Sequence, residues 1–215
     1  MDQHVPFEPV AKSNPTSEPA STSRVSHGLD QFFSAIQDQH GLRILDMAAA
    51  SQANIGVITS LGHRIYSDDI LRTLDSTFGT NEDESLENQS DPRKVEHFFQ
   101  QTLDFPPAHF DGALVWDTLQ FLSPSLLQMT IERLRHVLRS SAHMLAFFHA
   151  EEKGGQVPVY SYRVLDAKTL SLTQRGHRKP AQAFNNRSLE KLFQEFQAVK
   201  FFLTRDHLRE VIVRR

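Results

Sequence analysis

Short apolar runs that alternate with amphipathic segments are the feature that most constrains the fold of this chain. The runs at 44–45, 65–66, 113–116 and 144–148 have the length and apolar character of buried strands. Between them lie segments in which apolar residues recur at helical spacing, such as the one over 127–138. Because a parallel connection between strands needs a crossover, this alternation predicts a doubly wound α/β fold with helices on both faces.

Three further runs, at 95–99, 199–203 and 211–213, bring the number of predicted strands to seven. The first four strands and the run at 95–99 are predicted to be parallel. The last two are joined by residues 204–210, a link that is too short for a helical crossover. The sequence therefore predicts a mainly parallel, seven-stranded sheet that closes with an antiparallel C-terminal hairpin.

Two segments lack apolar periodicity. Residues 1–27 are rich in Pro, Ser and Thr and are predicted to form a flexible N-terminal tail. Residues 75–93 collect acidic side chains and are predicted to form an exposed acidic loop. The remaining length suits one domain over residues 28–215.

Composition narrows the classes of function. The chain has no cysteine, which removes disulfides and thiolate metal sites, and it lacks the His-Glu-x-x-His spacing of a zinc helix, so we predict no metal site. It also lacks a nucleophile elbow and a phosphate-binding loop. No apolar stretch reaches the roughly 20 residues of a membrane span, and no export signal is visible at the start. We therefore predict a cytoplasmic protein that does not bind a membrane.

Charge is distributed unevenly along the chain. Residues 1–128 hold 7 Lys and Arg against 18 Asp and Glu, whereas residues 129–215 hold 16 against 8. A basic half can attract a nucleic acid, although interleaved charges on solvated helix faces are the commoner cause of such a bias. Nucleic-acid binding therefore stays open as an alternative.

The ends of the predicted strands carry a family resemblance. In a doubly wound sheet, ligands bind outside the carboxyl ends of the strands. The segments ILDMAAASQANIG, HRIYSDDI and LDFPPAHFDGALVWDTLQFL resemble the first, second and fourth strand motifs of class I S-adenosylmethionine-dependent methyltransferases. Asp46 matches the acid of the first motif, and Asp69, 23 positions later, matches the second-strand acid, with Asp68 in reserve. The resemblance covers about residues 28–215.

The resemblance implies S-adenosylmethionine as the cofactor and a Rossmann-like methyltransferase fold. Asp69 would hold the ribose hydroxyls, and the loop over 48–54 would hold the methionine end. The cofactor-binding residues predicted in this way are Asp46, Ala48, Ala50, Ser51, Asn54 and Asp69. Trp116, Asp117 and His149 would face the methyl acceptor, for which a small molecule is favoured because no RNA-reading motif is present.

Departures from the family pattern support a second hypothesis. The turn glycines of the family correspond to Ala48, Ala50 and Gln52, and no acidic residue for adenine is found near 100–101. An inactive methyltransferase-like protein with a binding or regulatory role is therefore the alternative to an active enzyme. A nicotinamide-cofactor enzyme is a third reading, disfavoured because the chain lacks Gly-x-Gly-x-x-Gly. Trp116 also has a simpler interpretation as a core residue, since it continues a buried run.

Overall fold

The computed structural model describes residues 21–150, 155–204 and 208–215. No helix among these residues is long and apolar enough to cross a bilayer. The elements follow one another in the order β1 (Ser21–Val25), α1 (His27–Ile36), β2 (Arg43–Asp46), α2 (Gln52–Ser60), β3 (Arg64–Ser67), α3 (Ile70–Phe78), α4 (Glu82–Asn88), α5 (Pro92–Gln101), β4 (Phe110–Trp116), a 3₁₀ turn (Thr118–Phe121), α6 (Pro124–Val137), β5 (Leu138–His149), β6 (Val157–Asp166), β7 (Thr169–Arg178), α7 (Asn186–Leu192), β8 (Ala198–Leu203) and β9 (Leu208–Arg214).

The main sheet has six strands in the order β3-β2-β4-β5-β9-β8. Strands β3, β2, β4 and β5 are parallel to one another, and β9 runs antiparallel to both β5 and β8. The predicted doubly wound α/β fold with an antiparallel C-terminal hairpin is confirmed. The predicted count of seven strands is wrong, because 95–99 lies in α5, where Val95, Phe98 and Phe99 are buried at helical spacing.

Two apolar clusters cover the two faces of the main sheet. Successive residues of β4 alternate between them: Ala113 and Val115 belong to the cluster that includes α3, α5, α6 and α7, whereas Leu114 and Trp116 belong to the cluster that includes α1 and α2. A strand buried on both faces reads as a continuous apolar run, which is why β4 was visible in the sequence.

A second, antiparallel sheet of three strands has the order β1-β7-β6. Strand β1 pairs with β7 from Ser21↔Thr173 to Val25↔Thr169. The predicted flexible tail is therefore wrong over 21–27, and residues 1–20 lie outside the described residues. Residues 21–27 are ordered because the Arg24 guanidinium and the Ser26 hydroxyl, together with the backbone N–H of Gly28, bind the buried carboxylate of Glu210 on β9.

The predicted exposed loop over 75–93 is also wrong, since it contains the end of α3, the whole of α4 and the start of α5. The N-cap side chains of Asn81 and Asp91 accept hydrogen bonds from the backbone of Glu84 and Arg93. Three acidic residues in the first turn of α4 are favourable at the positive end of the helix dipole. Caps and charge, rather than an apolar face, therefore hold this short helix, and the apolar pattern alone could not reveal it.

Candidate functional site

A pocket of about 210 Å³ lies at the carboxyl ends of β2, β3 and β4. Four residues predicted from sequence line it: Ala48, Asp69, Trp116 and Asp117. The hairpin formed by β6 and β7 covers it and contributes side chains that sequence reasoning did not single out, Tyr160, Tyr162 and Arg175 among them. The site is thus built at the edge where doubly wound sheets bind ligands.

Asp46 ends β2 but is fully buried and does not line the pocket. Its Oδ1 accepts a hydrogen bond of 2.6 Å from Trp116 Nε1, and its Oδ2 accepts one of 2.9 Å from Asn54 Nδ2. Burial raises the pKa of the Asp46 carboxyl, and these hydrogen bonds oppose that rise. In this arrangement Asp46 organises the loop and the end of β4 through the protein's own side chains.

The other cofactor residues predicted in this loop make contacts within the protein or lie outside the pocket. Asn54 joins α2 to β6, because it donates to Tyr162 O at 3.3 Å and accepts from Val164 N at 2.8 Å. Ser51 occupies the N-cap position of α2, but its side chain makes no capping hydrogen bond. Asn54, Ser51 and the exposed Ala50 are absent from the pocket lining. Their assignment to the cofactor stays a prediction.

The loop after β2 needs no glycine. Among the described residues other than glycine, a positive φ occurs only at Leu103, Ala108, Trp116 and Ser141, so the backbone of 48–52 stays in the region open to alanine. The left-handed residue at this site is Trp116, with φ of 58°. Its ring stacks on Tyr162, with centroids 4.9 Å apart and planes 7° from parallel. The left-handed backbone conformation at this site is therefore found at the end of β4, and not in the loop after β2.

Replacement of Trp116 by Phe is expected to lower the free energy of unfolding by about 1–3 kcal/mol, because Asp46 loses a buried hydrogen-bond donor. Urea denaturation followed by far-UV circular dichroism measures this loss. In a double-mutant cycle with Asp46→Asn, we expect a coupling free energy of at least ~0.5 kcal/mol. Strictly additive effects would contradict the role given to the Trp116–Asp46 hydrogen bond.

Asp117 follows β4 and is 2% exposed. Burial raises its pKa to about 7, although its own backbone N–H, the Tyr162 side chain and the Tyr160 backbone pull the pKa down. Burial raises the pKa of Tyr162 well above its usual value, and the neighbouring Asp117 carboxylate raises it further. Asp117 and Tyr162 interact electrostatically, yet Asp117 Oδ2 and Tyr162 Oη do not meet hydrogen-bond geometry with any described residue. A carboxyl that titrates near neutral pH beside a pocket can act as a general acid or base.

The two aspartates after β3 have separate roles. Asp69 lines the pocket, and its Oδ1 also caps α3 by accepting from Arg72 N at 3.1 Å. Asp68 instead ties β3 to the end of α5, since its Oδ2 accepts from Thr102 Oγ1 at 2.7 Å and from Leu103 N at 3.0 Å. Asp69 is the aspartate available to a ligand.

His149 lies beside the site rather than in it. Its ring stacks on that of Tyr160, with centroids 6.1 Å apart, and its backbone N–H donates to Gln120 Oε1 at 3.1 Å. It does not line the pocket. Within the described ranges, no three His, Cys, Asp or Glu side chains come together as a metal site would require.

The sequence indicates the strands of the covering hairpin but not its position on the main sheet. Alternation of apolar and polar residues over 169–173 is typical of a strand, and Tyr160 and Tyr162 are spaced to face the same side of one. Nothing in this local pattern tells which part of the main sheet the hairpin covers. That placement depends on long-range contacts, such as the Asn54 amide and the pairing of β1 with β7.

Comparison with known proteins found similarity only among solved structures: no family model matches the sequence, and no curated protein matches it. A 1,6-didemethyltoxoflavin-N1-methyltransferase from Burkholderia thailandensis, with bound 1,6-didemethyltoxoflavin and S-adenosylhomocysteine, is 13% identical, with 87% of this chain and 76% of that chain covered and a TM-score of 0.49. A SAM-dependent methyltransferase from Aquifex aeolicus is 11% identical, with 88% and 90% covered and a TM-score of 0.47. A SAM-dependent methyltransferase from Methanosarcina mazei is 16% identical, with 82% and 93% covered and a TM-score of 0.46. By its own strand order, four parallel strands followed by an antiparallel C-terminal hairpin, the chain has a Rossmann-like, doubly wound α/β fold.

Proposed function

We propose that the pocket binds S-adenosylmethionine and that the protein is an S-adenosylmethionine-dependent methyltransferase acting on a small molecule. The proposal rests on one observation: Asp69 and Asp117 line the same pocket. Asp69 follows β3 and Asp117 follows β4, the two strands that flank β2 in the sheet. Ionised carboxylates accept hydrogen bonds only, which suits the ribose hydroxyls as donors to Asp69. Asp117 then faces the acceptor.

The residues present fit such a cofactor if the covering hairpin shifts. The pocket of about 210 Å³ is smaller than the roughly 300–1,000 Å³ of typical ligand sites, so we expect β6 and β7 to move outward on binding. Ala48 and Ala49 line the pocket beside the expected methionine end. When bound, S-adenosylmethionine supplies an activated methyl group, which leaves positioning as the main contribution of the protein. Asp117 is suited to hold or accept a proton of the acceptor.

A catalytically inactive methyltransferase-like protein with a binding or regulatory role is the second candidate. It is favoured by one feature: the space at the end of β2 is occupied by the protein's own side chains. Trp116 and Asn54 bind Asp46, and Tyr162 stacks on Trp116. A ligand smaller than S-adenosylmethionine would then fill the pocket.

Calorimetric titration with S-adenosylmethionine and S-adenosylhomocysteine tests the proposal. Wild-type protein is expected to bind both, and Asp69→Ala is expected to weaken binding at least ~10-fold, since hydrogen bonds to a charged group contribute about 1.5–3 kcal/mol. Asp69→Ser retains an oxygen that can cap α3 and is the control for a folding effect, while exposed Asp38→Ala should bind as wild type does. If neither compound binds at millimolar concentration, the second candidate replaces the first.

A further inference from the structure

Arginines from several strands meet at the amino edge of the main sheet, the edge opposite the pocket. Arg43 begins β2 and pairs in register with Arg64 at the start of β3. Arg139 lies at the start of β5, and antiparallel β9 brings Arg214 and then Arg215 to the same end. We call these five residues the basic rim: Arg43, Arg64, Arg139, Arg214 and Arg215.

Local contacts hold two residues of the rim in place, Arg139 and Arg215. Arg139 Nη1 lies 2.8 Å from Asp111 Oδ1, and Arg139 Nε donates to Ala108 O at 3.1 Å. Arg215 is held by its backbone N–H to Ala142 O at 3.0 Å and by its guanidinium to Leu138 O. From β3 to β9 there are four steps between neighbouring strands, so the rim extends over roughly 19 Å.

The arginines of the rim act on two histidines at this edge. Burial lowers the pKa of His109 first, and Arg43 and Arg139 lower it further, with Asp111 opposing. The pKa of His143 is likewise lowered by burial and then by Arg214 and Lys200. The acidic side chain of Asp111 lies within the basic rim, where it binds the Arg43 backbone and the Arg139 side chain. Arg64, Arg139 and Arg214 are exposed.

The rim continues into a groove between α6 and α7. This groove has a volume of about 490 Å³, and Arg135, His136, Lys191 and Arg215 line it together with Glu132 and Glu195. Arg135 forms an ion pair of 2.8 Å with Glu195, in which both side chains are largely exposed. All of these groove residues belong to the basic segment 129–215, whereas Arg43 and Arg64 of the rim come from the acidic half.

We propose that the basic rim binds the phosphodiester backbone of a nucleic acid. Guanidinium groups match phosphate oxygens in paired geometry, and a row of them across several strands suits a linear polyanion. A membrane surface fits less well, because membrane-binding faces combine basic with large apolar residues. The four exposed large apolar side chains of the described residues, Val25, Met129, Leu165 and Leu203, all lie outside the rim.

Fluorescence anisotropy with a fluorescein-labelled 20-nucleotide single-stranded RNA tests the proposal on the full chain. Wild-type protein is expected to bind with a Kd on the order of 10 µM at 50 mM KCl, with affinity falling steeply as salt is added. The triple variant Arg64→Gln, Arg139→Gln and Arg214→Gln is expected to bind at least ~10-fold more weakly. Each lost phosphate contact should flatten the salt slope by about 0.7 for a single strand.

A second triple variant is the matched control, because it removes the same charge from exposed arginines elsewhere: Arg93→Gln, Arg163→Gln and Arg187→Gln. It should bind within about twofold of wild type, and thermal unfolding of both variants shows that they are folded. Equal losses in the two variants, or no binding by wild type at 100 µM protein (about ten times the expected Kd), would overturn the proposal. Binding of labelled polyglutamate as tight as that of RNA would also overturn it, since it would assign the rim to acidic proteins. DNA of the same sequence tells which nucleic acid is preferred.

Discussion

Substitution of Arg24 by Ala is expected to lower the free energy of unfolding by about 3–5 kcal/mol, because it leaves a buried carboxylate without its cation. Glu210 on β9 is fully buried, and Arg24 on β1 is its ion-pair partner. Ser26 Oγ at 3.0 Å and Gly28 N at 2.6 Å donate to the same carboxylate. This cluster fastens β1 and the start of α1 to the main sheet, so its loss should affect the whole fold.

Urea denaturation followed by far-UV circular dichroism measures the effect. Arg178→Ala is the matched control, because the Arg178–Asp75 ion pair is partly exposed and should contribute no more than about 1 kcal/mol. Adding Glu210→Gln to Arg24→Ala removes the stranded charge while keeping an acceptor for Gly28 N, so it should recover part of the stability. Similar losses in Arg24→Ala and Arg178→Ala, or no recovery in the double variant, would contradict the buried-pair argument.

The parallel core of the fold could be predicted because its signals are local. Each buried strand is a continuous apolar run, and the short link after 203 allows only an antiparallel hairpin. Strand β1 could not be predicted, since its formation depends on pairing with β7 almost 150 residues later and on the ion pair of Arg24 with Glu210. The short run that contains Val95, Phe98 and Phe99 predicts a strand by its apolar composition, whereas the spacing of these three residues fits the buried face of helix α5.

The residues of the candidate site could also be predicted only in part. Asp69, Trp116 and Asp117 were located by their position at strand ends, and they line the pocket. Asp46 has an equivalent position, yet its carboxylate turns inward because Trp116 and Asn54 supply donors there. A strand end predicts where a side chain lies, whereas its orientation depends on partners that are distant in sequence.

The pH dependence of stability should change when Asp117 is replaced by Asn. The carboxyl of Asp117 has a pKa of about 7 in the folded protein and near 3.8 when exposed. Between these values the folded state binds more protons than the unfolded state, so the stability of the wild type falls as pH rises from about 4 to about 7 and is level above. The difference corresponds to about 4 kcal/mol as an upper bound. Because Asn does not ionise, Asp117→Asn should be more stable than wild type at pH 8 and lose this advantage near pH 4.

Chemical denaturation of both proteins at pH 4.5, 6 and 8 measures the difference. Asp46 also has a raised pKa and contributes a slope of the same sign, but it is present in both proteins and cancels in the comparison. The exposed control Asp38→Asn should show no pH-dependent difference of this size. If Asp117→Asn is no more stable at pH 8 than at pH 4.5 relative to wild type, Asp117 ionises freely in the folded protein. It would then not be a carboxyl held near its titration point beside the pocket, and its proposed use as a proton acceptor at neutral pH would lose its physical basis.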